Sequence, residues 1–238
     1  HVDWKLYGKT DRYFVKQYEE ETNLRSYILL DISRSMEYKS DKISKLDYGN
    51  YLSAALAYLM INQQDGVGLT LFDNKIKTFI PPRSKPSHVN TILSHLDNIG
   101  SGKDTDVGLV LHEMAERIKK RGLVIIISDL FDEVENIMRG LKHFRHNKQE
   151  IIVFHVMDRK ELEFDFTNRT KFKDMETNEQ ITTEPWKIRK VYQQSIQSYQ
   201  NELRLKCREQ KIDYVPLFTY QRLDLALNEY LKKRQRLG

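Results

Sequence analysis

The chain has 238 residues, of which 39% are hydrophobic and 31% charged, and it carries a net charge of +5 with a pI of about 9.0. These values favour one globular domain with additions and exclude a wholly disordered protein. The single cysteine, Cys207, excludes an intrachain disulfide and fits a reducing compartment, so a cytoplasmic location is expected. The basic excess suits acidic protein partners or nucleic acid and selects neither, because acidic and basic residues are interleaved along the chain.

No segment approaches the ~20 apolar residues that a membrane-spanning helix needs, and the longest strongly apolar run is Leu123–Ile127. The chain begins with His1 rather than Met, which indicates a fragment whose missing amino-terminal segment could carry a targeting or membrane signal. We therefore expect no membrane segment within these residues, and a monomer is the default expectation.

Secondary structure is predicted in chain order from apolar periodicity. Residues 1–24 are polar and aromatic and are predicted to form an extended arm, in which Tyr13–Tyr18 is a candidate edge strand. Strands and helices then alternate through residues 25–238. The predicted strands are Ser26–Ile32, Val67–Phe72, Ile76–Ile80, Gly122–Ser128, Ile151–Val156 and Tyr214–Thr219, with Lys171–Thr177 and Gln180–Glu184 flanking a turn at Asn178. The predicted helices are Leu46–Asn62, Ser87–Ile99, Asp106–Lys120, Val134–His146, Pro185–Gln210 and Leu223–Lys233.

Apolar strands that alternate with helices predict a mainly parallel, doubly wound α/β sheet covered on both faces. About six strands are expected, with Ser26–Ile32 central and Val67–Phe72 and Gly122–Ser128 close to it. Ile76–Ile80 follows a turn and is expected to be one antiparallel edge strand, ended by Pro81 and the proline after it. Ligands of such sheets bind beyond the carboxyl ends of the strands, near the point where strand order reverses.

Three predicted loops at that edge carry hard oxygen ligands. The first strand runs into Asp31, Ser33 and Ser35, whose alternate spacing lets them face one point as the chain turns. Thr105 precedes a predicted helix, and Asp129 follows the most apolar strand. Each group alone suits an ordinary turn or helix cap. Their occurrence together, after the ends of two predicted strands and before a predicted helix, predicts a site for Mg²⁺, Mn²⁺ or Ca²⁺.

The Asp-Ile-Ser-Arg-Ser run at 31–35, with Thr105 and Asp129, resembles the metal-ion-dependent adhesion site of von Willebrand factor A domains. The segments 1–7 and 13–23 ahead of it resemble a bacterial branch of these domains that is usually encoded beside MoxR-type AAA+ ATPases. The resemblance covers essentially the whole chain. Lys103 and Asp104 depart from it, because the family more often has glycines there.

The resemblance implies a von Willebrand factor A-like fold and a role in binding a protein partner rather than in catalysis. It implies that Ser33 and Ser35 coordinate the metal directly and that Thr105 does so directly or through water. Asp31 and Asp129 would hold waters and orient the hydroxyls. The metal would then attract an acidic side chain of the partner, and the partner implied is a MoxR-type AAA+ ATPase.

Two other functions are weighed against this one. A phosphoryl-transfer enzyme could use Asp31 as nucleophile, but the haloacid-dehalogenase pattern needs a second aspartate two residues later, where Ser33 stands. A nucleic-acid-binding domain could use the basic Lys232–Arg236 tail, but that tail also suits a solvated helix end, and no stacking-aromatic motif accompanies it. His155 is expected to be a buried strand residue rather than a general base, and Cys207 to be inert.

Overall fold

The computed structural model describes residues 24–100, 102, 106–166, 170–173, 180–183 and 185–237. The strands are β1 Arg25–Asp31, β2 Gly66–Phe72, β3 Ile76–Arg83, β4 Leu123–Ser128, β5 Glu150–Met157, β6 Thr170–Lys173, β7 Gln180–Thr183 and β8 Asp213–Phe218. The helices are α1 Lys45–Asn62, α2 His88–Asp97, α3 Val107–Arg117, α4 Val134–His146, α5 Arg159–Glu163, α6 Pro185–Glu209 and α7 Asp224–Leu237, with one 3-10 turn at Arg34–Glu37.

Six strands form one sheet in the order β3-β2-β1-β4-β5-β8. All neighbours are parallel except β3, which pairs antiparallel with β2 at the edge. This confirms the predicted mainly parallel sheet, with β1 at its centre between β2 and β4. In chain order, β2 and β3 are added on one side of β1, and the chain then crosses over to β4 on the other side of β1. The strand order therefore reverses between β1 and β4.

Both faces of the sheet are covered, which explains why the inner strands are apolar throughout rather than alternating. Side chains of α1, α2 and α7 pack on one face, and those of α3, α4 and α6 pack on the other. Every residue of β4 is buried. The helix α4 packs on the sheet through a stripe of apolar residues at helical spacing, and it has the predicted bounds Val134–His146.

Two differences from the predicted elements have physical explanations. The strand β3 continues through Pro81 to Arg83 and is not ended by the prolines, because one side of an edge strand makes no ladder bonds that a missing N–H would break. The short helix α5 was not predicted, and it begins with a capping box in which Asp158 and Glu161 bond each other's backbone N–H groups.

A two-stranded hairpin, β6 with β7, lies within the segment predicted to contain one. The predicted arm, including Tyr13–Tyr18, lies outside the described residues.

Candidate metal centre

The candidate site lies at the carboxyl edge of β1 and β4, where the strand order reverses. Leu30 of β1 is in register with Ile127 of β4, so the next residues, Asp31 and Ser128, are also adjacent. Parallel doubly wound sheets bind ligands at such a point because the loops diverge there and leave a crevice. We call Asp31, Ser33, Ser35, Ser128 and Asp129 the switch-point site.

Asp31 organises the loop that follows β1. It is fully buried, and both of its carboxylate oxygens accept hydrogen bonds. Oδ1 accepts from the backbone N–H of Ser33 at 2.9 Å, and Oδ2 accepts from the hydroxyl of Ser128 at 2.7 Å. Burial, and next the charge of Asp129, raise the pKa of Asp31 to about 7. Asp31 therefore connects the two loops and orients their hydroxyl groups.

The hydroxyl groups of Ser33 and Ser35 converge beside Asp31. Their Oγ atoms lie 3.0 Å apart. Two adjacent oxygen ligands on an octahedral Mg²⁺ at about 2.1 Å are themselves separated by about 3 Å. Ser33 is buried and Ser35 is half-buried. The pair therefore has the spacing of two neighbouring corners of a magnesium octahedron, although the same distance also suits a hydrogen bond.

Asp129 follows β4 and is held by a buried lysine that the sequence did not single out. Its Oδ2 accepts from the ammonium of Lys45 at 2.8 Å, and Glu161 accepts from the same ammonium at 2.7 Å. The other oxygen of Asp129, Oδ1, is buried and has no hydrogen-bond partner among the described residues. Burial acts to lower the pKa of Lys45, but the two carboxylates outweigh burial and raise it. One acceptor thus remains available for a metal-bound water.

His155 lies on β5, directly beside Ser128 of β4. Its Nδ1 lies 2.6 Å from the hydroxyl of Tyr214, and its ring also bonds the backbone of Asp129. Burial lowers the pKa of His155 to about 4. The ring is therefore neutral at physiological pH, which agrees with the prediction of a buried strand residue.

The loop after β4 is held in an unusual conformation. Leu130 has a φ of 52°, in the left-handed region that costs a branched residue about 1–2 kcal/mol. Four hydrogen bonds fix it there. The Leu130 N–H donates to Ser128, Tyr199 of α6 donates to the carbonyls of Leu130 and Asp132, and the Asp132 carboxylate accepts from the N–H of Gly108 at the start of α3.

Thr105 lies outside the described residues, so its predicted convergence with the two serines stays a prediction. Gly102, earlier in the same loop, is described. A Cβ atom at Gly102 would stand 1.7 Å from the carbonyl oxygen of Ile32. Only glycine allows the backbone to approach the Asp31 loop this closely. Asp106 caps α3 by accepting from the Leu109 N–H.

Sequence reasoning missed Lys45, Glu161 and the direct role of Ser128. Among the described residues, no group of three or more His, Cys, Asp or Glu side chains is placed to hold a metal. His143 of α4 contacts His112 of α3 at the surface between these two helices. Cys207 is buried, and burial raises its pKa to about 12.

A protein-family model matches residues 1–202 of the chain. The chain belongs to that family, protein of unknown function DUF58. Uncharacterized proteins of Mycobacterium tuberculosis and Mycobacterium bovis are each 22% identical to it over 179 residues. That match covers 74% of this chain and 56% of each relative, so the chain spans little more than half the length of these relatives.

Solved structures similar to this member of the family share its fold. BatB from Bacteroides thetaiotaomicron has a TM-score of 0.58 at 18% identity, covering 90% of this chain and 99% of its own. An aerotolerance-related membrane protein from Bacteroides fragilis has a TM-score of 0.58 at 17% identity, covering 88% and 99%. The VWA domain of SpRpn10 has a TM-score of 0.50 at 13% identity, covering 87% and 95%. The fold is therefore von Willebrand factor A-like.

None of the helices in the described part of the chain combines the length and the apolar character needed to cross a membrane.

Proposed function

We propose that this domain is a metal-dependent protein-interaction module, which holds Mg²⁺ on Ser33, Ser35 and Thr105 and binds an acidic side chain of a partner through that metal. The observation that carries the proposal is the 3.0 Å separation of the Ser33 and Ser35 hydroxyl oxygens, in a loop whose backbone donates to the Asp31 carboxylate. Hydroxyl oxygens are hard ligands that suit Mg²⁺, and also Mn²⁺ or Ca²⁺.

The chemistry of this donor set favours capture of an anion. Serine and threonine hydroxyls are neutral, so a metal held mainly by them keeps most of its positive charge. Asp31 is already bonded on both oxygens and would orient the ligands rather than neutralise the metal. The Oδ1 of Asp129, which has no hydrogen-bond partner in the described part of the chain, can accept from a metal-bound water. An open metal position would then attract a carboxylate from outside the chain.

The partner we propose is a MoxR-type AAA+ ATPase, on the basis of the family resemblance of the amino-terminal and adhesion-site motifs. An acidic side chain on the ATPase would complete the metal shell. The +5 net charge of the chain would assist the approach of an acidic surface, an effect that salt weakens.

The burial of Asp31 argues against the phosphoryl-transfer alternative. A nucleophilic carboxylate needs an accessible oxygen, whereas Asp31 is fully buried and both of its oxygens accept hydrogen bonds. The neutral, buried ring of His155 bonds the hydroxyl of Tyr214 and the backbone of Asp129, and it is not positioned as a base for an external substrate. We propose no catalytic activity for the described site.

The proposal is tested by measuring binding of the cognate ATPase with Mg²⁺, with EDTA, and with Mg²⁺ restored. Binding should be lost in EDTA and return with Mg²⁺, and it should be lost in Ser33→Ala. The matched control is Ser26→Ala, because Ser26 is a buried serine at the opposite end of β1 whose hydroxyl has no hydrogen-bond partner among the described residues. Equal binding of the wild-type protein and Ser33→Ala would refute a metal-mediated interface. Binding that resists EDTA but fails in salt would point to charge attraction alone.

A further inference from the structure

A cavity of about 600 Å³ lies beside the switch-point site and is not used by the proposed metal chemistry. It is bounded by the loop after β4, the end of β5, α5 and the central part of α6. Asp129 forms part of its wall, so the cavity begins where the candidate metal centre ends. Its volume lies within the range of about 300–1,000 Å³ that is typical of binding pockets.

The interior of the cavity is largely apolar. Its lining includes Leu130, Val134, Val156, Met157, Leu162 and Ile196. Phe131 also lines it and is 67% exposed. An exposed aromatic side chain beside an apolar cavity is a feature of protein-binding surfaces, since burying it on association is favourable.

The charged groups around the cavity are mostly acidic, in contrast to the basic chain as a whole. Five carboxylates and one ammonium line it, those of Asp129, Asp132, Glu133, Glu135, Glu161 and Lys45. Lys45 is shared by Asp129 and Glu161, and Glu135 pairs with Lys206. Glu133 is exposed, and Asp132 uses its carboxylate to bond backbone N–H groups. The opening is therefore negative, which disfavours phosphate-bearing ligands such as nucleic acids.

We propose that this cavity binds a large apolar side chain from a protein segment that carries lysine or arginine on either side. The apolar side chain would fill the cavity, and the flanking cations would meet the acidic opening. This inference rests on the proposed function only in assigning both surfaces to one partner, whose carboxylate would sit on the metal next to the cavity. The position of Asp129 in the shared wall makes the two contacts contiguous.

The test uses short acetylated and amidated peptides, whose termini carry no charge, with fluorescence anisotropy as the readout and EDTA present throughout. One peptide has a leucine and a phenylalanine core flanked by lysines. The second has the same core flanked by glutamates, and the third has lysines flanking a serine core. The first peptide should bind the wild-type protein at least about tenfold more tightly than either of the others.

Two variants with matched controls locate the binding. Ser195→Trp places a large side chain at an exposed position that lines the cavity, and it should weaken the first peptide by about tenfold. Ser198→Trp, on the same helix at an exposed position outside the lining, should leave binding unchanged. Glu133→Lys should weaken binding and increase its sensitivity to salt, whereas Glu209→Lys, at the far end of α6, should not.

The inference is overturned if the glutamate-flanked or serine-core peptide binds as tightly as the first, or if Ser195→Trp and Ser198→Trp behave alike. Calorimetric titration of Mg²⁺ into the same proteins reports separately on the metal centre. Ser195→Trp should still bind Mg²⁺. Peptide binding without Mg²⁺ binding would refute the proposed function alone, and Mg²⁺ binding without peptide binding would refute the cavity inference alone.

Discussion

The buried ammonium of Lys45 allows a quantitative test of how the candidate site is held together. In Lys45→Met, the apolar part of the side chain is kept and the charge is removed. Asp129, whose side chain is 6% exposed, then loses its counter-charge at 2.8 Å. Breaking a buried ion pair from one side costs about 3–5 kcal/mol, because the remaining charge stays desolvated. The side chain of Glu161 is 31% exposed, so water compensates for much of the lost ion pair. The loss of this second ion pair therefore adds at most about 1 kcal/mol to the destabilisation.

Urea denaturation near neutral pH measures this loss as a shift in the midpoint at constant slope. Lys160→Met is the control, since Lys160 is exposed, and its effect should stay within about 0.5 kcal/mol. Adding Asp129→Asn to Lys45→Met should recover part of the stability, because the uncompensated charge is then absent. A loss below about 1 kcal/mol in Lys45→Met, or no recovery in the double variant, would refute the view that Lys45 balances a buried carboxylate.

Three further predictions concern the loops and the interior. Gly102→Ala should lower the melting temperature and weaken any Mg²⁺-dependent stabilisation, whereas Gly100→Ala, whose Cβ meets nothing within 4 Å, should do neither; equal effects would contradict the close approach at Gly102. Tyr199→Phe should cost about 1–2 kcal/mol in urea denaturation by removing a donor shared by two loop carbonyls, and an unchanged midpoint would contradict that role. His155 has a pKa of about 4 in the folded protein and about 6.5 when unfolded. Its neutral form therefore contributes to stability above pH 6.5, and the free energy of unfolding should fall by about 2 kcal/mol between about pH 7 and pH 5 as the unfolded chain takes up a proton. His155→Gln should remove that fall, and parallel pH profiles of the two proteins would contradict it.

The sheet could be predicted because each strand has a local pattern of its own. Leu123–Ile127 is continuously apolar, and in the structure every one of these residues is buried on both faces of the sheet. The helix Val134–His146 has an apolar stripe with helical spacing, and the extent of that stripe predicted both ends of the helix correctly. The predicted end of β3 at Ile80 was wrong because a proline is unfavourable in an inner strand but tolerated at an edge.

The candidate site could be predicted only in part, because some of its members depend on contacts distant in sequence. Asp31, Ser33 and Ser35 stand in one local motif, and the structure brings them together. Lys45 begins a helix, where a lysine is ordinarily exposed. Its partners lie 84 and 116 residues further along the chain, so no local pattern indicates its burial. The cavity arises in the same way, from the position of α6 over the loop after β4.

The measurement that tests the central claim most directly is a calorimetric titration of Mg²⁺, repeated with Mn²⁺, into the wild-type protein, Ser33→Ala and Ser26→Ala. We predict binding at millimolar metal to the wild-type protein and to Ser26→Ala, and none to Ser33→Ala. Metal at about ten times its dissociation constant should also stabilise the first two proteins by about 1.4 kcal/mol. The absence of binding to the wild-type protein at millimolar Mg²⁺ and Mn²⁺, or equal binding to Ser33→Ala, would contradict a metal centre at the switch-point site.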